Sequence, residues 1–560
     1  MFKKTDPNPQ LDIFTAPSMQ LGSRASKKYS APNAWHNQFY CLVTTKIDEE
    51  IFKPLFPEGK KSGRPNASIR ILVAMSVLKE GFGCSDEDLF EKCEFDLLTR
   101  KALGMELLTD VTPSIDTYYL FRRRICEYQE RTGIDLMQLC FEQLAGKHVH
   151  LLKISGKCVR MDSKLIGSNI ARQSRYELIH TTLVKFLKTC TLTHLSPEQE
   201  ERAKEYLKED SSKTVYRSDS DTLQNNLARI GNFIMEMLAV FPATSPAHDL
   251  LLRLFEEQYV VMDGKAVLRD KKEVKADSLQ NPNDPDATYR AKNDQKVQGY
   301  VTNITETVEE GKPNIITSVQ VETAVFADCH FLQEAVENSE RVTDSTIEDL
   351  YADGAYQSPD NREFAKNHNA MQLKTGKMQG GCRWELIPHD EDGLTVREIA
   401  TGNTYEAVKA VTKQGSRKRW RIPWNNKTGW RYFEDKDIKA YQLRKQIESL
   451  PLEEQHKRNN VEAAMFQYSF HTRKGKTRYR GLLKHRMHAY SRCMWMNLRR
   501  MVIFQISTFQ RSIFALFGPI REAFGSFKAI SRQIFTSGAD CYVSLRMTTL
   551  VRLDSKYAPF

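Results

Sequence analysis

Leu151 to Lys164 reads LLKISGKCVRMDSK. Its residues alternate up to Val159 and Met161, and Asp162 then breaks the run. Alternation at period two predicts a strand with one buried face, here ending on Asp162 so that the carboxylate emerges at a sheet edge. A second stretch repeats the arrangement: Leu350-Tyr351-Ala352-Asp353-Gly354-Ala355-Tyr356 closes a strand over 347–352 and delivers Asp353. Strands are expected over 297–305 and 314–323, joined by the turn Glu309-Glu310-Gly311-Lys312-Pro313. Helices are expected near 331–340 and over 358–368, with a short strand at 370–373. Strands and helices in this alternation predict an α/β fold, a mixed sheet with helices packed on it.

Three further regions flank or interrupt that core. Before it, 39–56 and 67–80 carry apolar residues at helical spacing, among them Ile69, Leu72, Met75 and Leu78. The turn Gly63-Arg64-Pro65 precedes the second helix and Gly81 to Gly83 end it. Ser85 with Asp88 reads as a capping pair opening another helix, and Pro113-Ser114 starts a third that carries Arg122, Arg123 and Arg124. Short helices with an arginine-rich last member suggest a helix-turn-helix-like DNA-binding region; a helical bundle with a solvated basic face is the plainer alternative. The span 174–261 reads as helical, with a charged middle at 198–210 and a loop at 242–246, and the turn-rich Asn281-Pro282-Asn283-Asp284-Pro285-Asp286 closes it. From 376 to 426 short β-prone pieces (384–387, 394–399 and 418–422) predict a β-rich insertion.

A helix over 452–470 carries Glu462, and His471 to Arg500 follows without one acidic residue. Tyr479, Tyr490 and Trp495 are interleaved there among lysines and arginines, a pattern that can hold phosphates while rings stack on bases. A solvated helix face with core aromatics is the alternative. The whole chain has 82 Lys+Arg against 71 Asp+Glu, a net +11, which favours a polyanionic partner. With 560 residues, 40% hydrophobic and 27% charged, it has the composition of an ordinary globular protein able to bury a core. The 11 cysteines form no C-x-x-C pair and predict reduced thiols in a cytosolic protein. No export signal is expected at the N-terminus. The most apolar stretch, 501–520, is interrupted by Gln505, Gln510, Arg511 and Pro519 and is expected as buried helix, not a membrane span.

Phosphodiester chemistry on two metal ions needs carboxylates that converge from separate elements. Asp162, Asp353 and Glu462 are the candidates, although an aspartate of this kind taken alone is more often a strand-end turn residue than a metal ligand. Arg458 and Glu462 stand four apart on one helical face, either as an ordinary ion pair or as a carboxylate beside a phosphate-binding guanidinium. Cys329-His330 and the pair His485 and His488 could in principle bind metal but read as satisfied or exposed residues. Asp284 and Asp286 read as structural.

These residues carry a resemblance. Gly63-Arg64-Pro65, Ser114 to Arg124, Met161 to Lys164, Asp284 to Ala287 followed by Gly299-Tyr300, Ala352 to Tyr356, Arg458 to Glu462, Arg480-Gly481-Leu482 and Asn497-Leu498 stand in an order that resembles bacterial insertion-sequence DDE transposases, in the group with a β-strand insertion before the catalytic glutamate. The resemblance implies an RNase H-like catalytic core with a helical N-terminal domain, a helical insertion and a β-rich insertion. It implies that Asp162, Asp353 and Glu462 hold two magnesium ions (manganese serving as well) for strand cleavage and transfer at an element's ends. It further implies that Arg458 contacts DNA phosphate near the cut. Gln455 and Ser469 stand where relatives often have tyrosine and lysine, with Lys474 or Lys476 as substitutes.

The expected organisation is 1–150 helical and DNA-binding, 151–174 core, 175–280 helical insertion, 281–376 core, 377–450 β-rich insertion, 451–505 core with Glu462 and the basic stretch, and 506–560 helical tail. Expected DNA contacts are Arg122, Arg123, Arg458, Arg473, Lys474, Lys476, Arg478 and Arg480. The expected partners are the element's terminal inverted repeats and target DNA, in a homodimeric end complex of the bacterial cytoplasm at the nucleoid, without a membrane. A non-catalytic DNA-binding relative and a stand-alone RNase H-like nuclease are the rival readings.

Overall fold

The computed structural model describes residues 2–5, 17–56, 66–241, 245–292, 295–375, 382–389, 393–410, 418–424, 429–449 and 451–534. Gly63-Arg64-Pro65 lies outside them. The stretch around Asp162 forms one long strand, β1 (Cys158–Gly167), so the strand does not end on Asp162 as expected but carries it in the middle. The reason is pairing: β1 is hydrogen-bonded along its length, Val159 to Gly167, to β5 (Gln295–Thr307), and a full ladder on one side holds the polar residues Asp162 to Lys164 in strand conformation.

Two short hairpin strands, β2 (Tyr259–Met262) and β3 (Lys265–Leu268), precede β4 (Thr288–Lys292). With β6 (Ile316–Thr323), β7 (Asp349–Ala352) and β8 (Gln372–Thr375), strands β1, β4 and β5 make a 6-stranded sheet. β1 and β6 flank β5 antiparallel, while β7 pairs parallel with β1 and β8 parallel with β7. The mixed α/β architecture of the sequence reading is therefore present, with the crossovers supplied by helices.

Helices α1 (Pro17–Gln20), α2 (Ser23–Tyr29), α3 (Trp35–Leu42), α4 (Ile69–Phe82), α5 (Asp86–Phe95), α6 (Leu97–Leu103), α7 (Ile115–Thr132) and α8 (Leu136–Leu152) precede the sheet. Ser85 and Asp88 form the expected capping box at α5, and Ser114 caps α7. Helices α3 to α8 share one apolar core with Ile166, Ile304 and Val319 of the sheet and with Val461, Tyr468 and Trp495 beyond it. Helices α9 (Arg175–Leu187), α10 (Pro197–Lys208), α11 (Ser211–Arg217), α12 (Ser220–Val240) and α13 (Pro246–Gln258) form the insertion after β1 around a core of their own.

Helices α14 (Leu332–Thr343) and α15 (Pro359–Asn367) are the crossovers that allow β7 and β8 to run parallel. The β-rich insertion is a meander of β9 (Trp384–Pro388), β10 (Leu394–Glu398), β11 (Thr404–Lys409), β12 (Arg419–Trp424) and β13 (Gly429–Glu434), closed by α16 (Asp435–Glu448). Helix α17 (Leu452–Ser469) carries Glu462, and α18 (Leu482–Ile534) begins inside the basic stretch. The chain divides into two units, 1–502 and 503–560. In the second unit α18 continues as the expected helix, but Ile503 and Ile506 are 54% and 39% exposed, not buried as expected.

Candidate active site

In the parallel pair β1–β7, Arg160 lies opposite Tyr351. Asp162 and Asp353 each follow two residues later, which brings them to the same level on neighbouring strands. Alternation fixes their side. Val159 and Met161 are fully buried with Leu350, Ala352 and Phe331 on one face. Arg160, Asp162, Tyr351 and Asp353 therefore belong to the other. That face is covered by α17: the Arg160 guanidinium donates to the Lys457 carbonyl at 2.8 Å, and the Tyr351 hydroxyl bonds the Glu454 carboxylate. Asp162 is half-buried and accepts from the Ser163 N–H at 2.7 Å, and Asp353, exposed, accepts from the Gly354 N–H at 2.7 Å.

Burial first, and then the negative charge of Asp353, push the Asp162 carboxyl up to about 6, against the opposing pull of the Ser163 N–H and Lys292. Two carboxylates at one level, one of them short of countercharge, are an arrangement that a hard cation would relieve. Behind them the buried Tyr356 hydroxyl donates to Asn303 Oδ1 at 2.6 Å, and Asn303 donates to Gln320 at 2.8 Å. Desolvation, with the charges of Asp162 and Asp328 next, holds the Tyr356 phenol well above its ordinary value, so it stays a neutral donor. Asp328 is buried between Arg290 at 3.0 Å and Lys292 at 3.6 Å.

Glu462 is placed by the way α17 lies along β1. Lys457 is tied to Arg160, and the Tyr468 hydroxyl lies 3.1 Å from Thr302 Oγ1, Thr302 being opposite Lys164. The helix spans about 16 Å between these ties at ~1.5 Å per residue, and the strand about 13 Å at ~3.3 Å per residue, so the two run in the same direction. Glu462 thus stands about level with Asp162. It is exposed, next to the buried Val461. Among the described residues no three acidic, histidine or cysteine side chains are drawn together closely enough to hold a metal ion. The structure brings the aspartates together and sets the glutamate on the facing helix, without closing the three into one cluster. The side chain of Arg458 is outside the described residues.

Several anchoring residues escaped the sequence reading. Glu454 bonds Lys374 at 2.9 Å and Lys457 at 3.0 Å besides Tyr351, and the Tyr351 hydroxyl first, then the lysines, hold its carboxyl down at about 2. Arg160 and Glu306 form a fully buried pair at 2.5 Å that Arg500 joins at 2.7 Å. A charged residue at an inward position of a strand was the available signal for Arg160. Glu454 gave none, because its partners lie on strands some eighty to a hundred residues earlier.

The basic stretch needs correction. Tyr479, Tyr490 and Trp495 are 9%, 2% and 3% exposed and belong to the core, so they are not a platform for stacking bases. Residues 471–481 are not helical: Arg473 and Lys476 pair across a tight turn, and the Gly475 carbonyl receives the N–H of Gly167 at the end of β1. Lys476 donates to the Ile170 carbonyl at 2.6 Å, Arg480 to the Asn169 carbonyl at 2.7 Å, and Arg478 to the carbonyls of Gly83 and Cys84. Carbonyls satisfy these donors without neutralising their charge. Arg473 and Lys474 are exposed at the turn. Arg122 is half-buried between the rings of Tyr118 and Tyr479, each 5.4 Å away, while Arg123 is exposed. Asp284 accepts from Tyr300 at 2.6 Å and from Ser168, a structural role as expected. Burial pushes His485 down to about 3, and His488 bonds Glu80, so neither is arranged as a metal ligand.

Residues 30–124, from just before α3 to the middle of α7, are similar to the family model described as Transposase domain (DUF772). No curated protein and no solved structure matches the chain. Among the described residues no helix is long and apolar enough to cross a membrane.

Proposed function

We propose that this transposase-family protein is a DDE enzyme that cleaves and transfers DNA strands at the ends of an insertion sequence. Asp162, Asp353 and Glu462 are its catalytic carboxylates, on an RNase H-like core. The observation that carries this reading is the register of β1 and β7, which sets two aspartates at one level on the face covered by the helix of Glu462. Strand order and direction support it: an antiparallel β6-β5-β1 run followed by parallel β7 and β8 is what such a core requires.

The three carboxylates would hold two magnesium ions, whose chemistry is to make a water or a DNA 3′-hydroxyl nucleophilic and to stabilise the leaving oxygen. The raised pKa of Asp162 supports the fit, since a cation beside it supplies the charge that burial and Asp353 leave uncompensated. Tyr356, held neutral, and Asn303 keep the far face of β1 fixed, and Glu454 pins the start of α17 to β7 and β8. Arg458 precedes Glu462 by one helical turn, where a guanidinium can meet phosphate.

The test is cleavage and joining of a labelled duplex carrying the DNA that flanks the coding region, with magnesium or manganese. Asp162→Asn, Asp353→Asn and Glu462→Gln should each abolish cleavage and leave DNA binding intact. Normal cutting by any one variant removes that residue from the site. Nicking without joining indicates a stand-alone nuclease, and binding without either indicates a non-catalytic relative. A protein that joins two ends is expected to act as a homodimer.

A further inference from the structure

A groove of about 990 Å³ opens between α7 and the start of α18, and Asp162, Asp353 and Glu462 are not among its lining residues. Its walls come from four separated parts of the chain: Lys79, Ser85 and Asp86, then Arg122 and Arg123 on α7, Asn169 just past β1, and Arg478, Arg480 and Lys484. The walls are packed against each other. The Tyr479 ring lies against Arg122, Tyr479 and His488 both bond the Glu80 carboxylate on α4, and Arg492 donates to the Glu80 carbonyl at 2.8 Å. Trp35, Phe82 and Trp495 close an aromatic cluster behind, with ring centroids 5.3 and 5.2 Å apart. Six cations, Lys79, Arg122, Arg123, Arg478, Arg480 and Lys484, line it against two carboxylates, Asp86 and Asp116, and Arg123 has Glu127 at 3.5 Å. Arg478 and Arg480 spend hydrogen bonds on carbonyls, Lys79 and Arg122 share the single carboxylate of Asp86, and Lys484 is exposed.

We infer that this composite groove binds the phosphate backbone of duplex DNA a short, fixed distance from the cut, so that recognition is not a property of residues 30–124 alone. The inference rests on the transposase reading and adds a position to it. Asn169 follows Asp162 by seven residues along β1 and its extension. At ~3.3 Å per residue that is at most about 23 Å, or about seven base pairs at ~3.4 Å each. The Asn169 edge of the groove therefore meets phosphates within roughly seven base pairs of the scissile bond.

The experiment is hydroxyl-radical footprinting and salt-dependent binding of the full chain, in EDTA, on a labelled duplex carrying the sequence flanking the coding region. The variants are Arg123→Ala with Lys484→Ala, both exposed and outside the core, and Asp162→Asn. Wild type and Asp162→Asn should protect backbone within about seven base pairs of the position cut by wild type in magnesium. The double variant should lose that protection, and its log–log salt slope should fall by about 1.8, at ~0.9 per phosphate contact. A double variant with the wild-type footprint and slope overturns the groove and leaves the transposase reading standing. A wild-type chain that neither binds nor cuts the duplex overturns both.

Discussion

Replacing Asp162 by asparagine should stabilise the metal-free protein at neutral pH while destroying its proposed activity. The carboxyl sits at about 6 where an ordinary aspartate has 3.8, because burial and Asp353 disfavour its charge. In the unfolded chain it ionises near the ordinary value, so between the two values the folded state holds a proton that the unfolded state has lost. Stability is therefore greatest below the unfolded value and falls as pH rises through 6. Carrying a carboxylate displaced from 3.8 to about 6 costs on the order of 3 kcal/mol once it is fully ionised. Asparagine keeps the shape and removes that cost. Thermal unfolding of wild type and Asp162→Asn, followed in EDTA from pH 4 to pH 8, should give an advantage to the variant that grows across this window and vanishes at its acid end. Added magnesium should raise the wild-type midpoint and narrow the gap, since a ligand of the folded state stabilises by mass action. A variant no more stable than wild type at pH 8 would refute the account of Asp162 as an unrelieved charge.

Glu306→Ala leaves Arg160 and Arg500 facing each other in the core without a counterion; a loss of about 3–5 kcal/mol, read by denaturant unfolding or insolubility on expression, is expected. Gly81→Ala would drive a methyl group into the Trp495 ring, and a cost of about 1–3 kcal/mol should appear as a lowered melting temperature. Glu454→Ala frees the start of α17 from Tyr351 and Lys374. Turnover in the cleavage assay should fall with DNA affinity unchanged. The stability that Glu454 gives, present above its ordinary value of 4.5, should be lost in wild type only as pH falls toward 2.

The candidate aspartates were legible because a carboxylate that interrupts an apolar strand leaves a local mark in the text. Ser85 with Asp88 and Ser114 were legible for the same reason, a cap being decided within one turn. The β-rich insertion was read from three pieces, whereas the structure adds β11 and β13, whose charged and aromatic residues face outward on a one-sided sheet and blur the alternation. The interleaved aromatics after Glu462 were ambiguous because tyrosine and tryptophan serve a core as readily as a binding surface; only packing against α3 and α4 decided for the core.

By itself the sequence determined the periodicities, and through them the alternation of strand and helix, the helix starts, the excess of positive charge and the three acidic candidates. Only the tertiary structure decided that Asp162 and Asp353 share a level and a face, that Glu454 and Arg160 fasten α17 across them, and that Arg122 and Arg480 line one groove. The physical reason is range. Backbone preference and amphipathicity act over a few residues, while electrostatic coupling and burial act across space between segments that lie hundreds of residues apart along the chain, as Arg160 and Lys457 do.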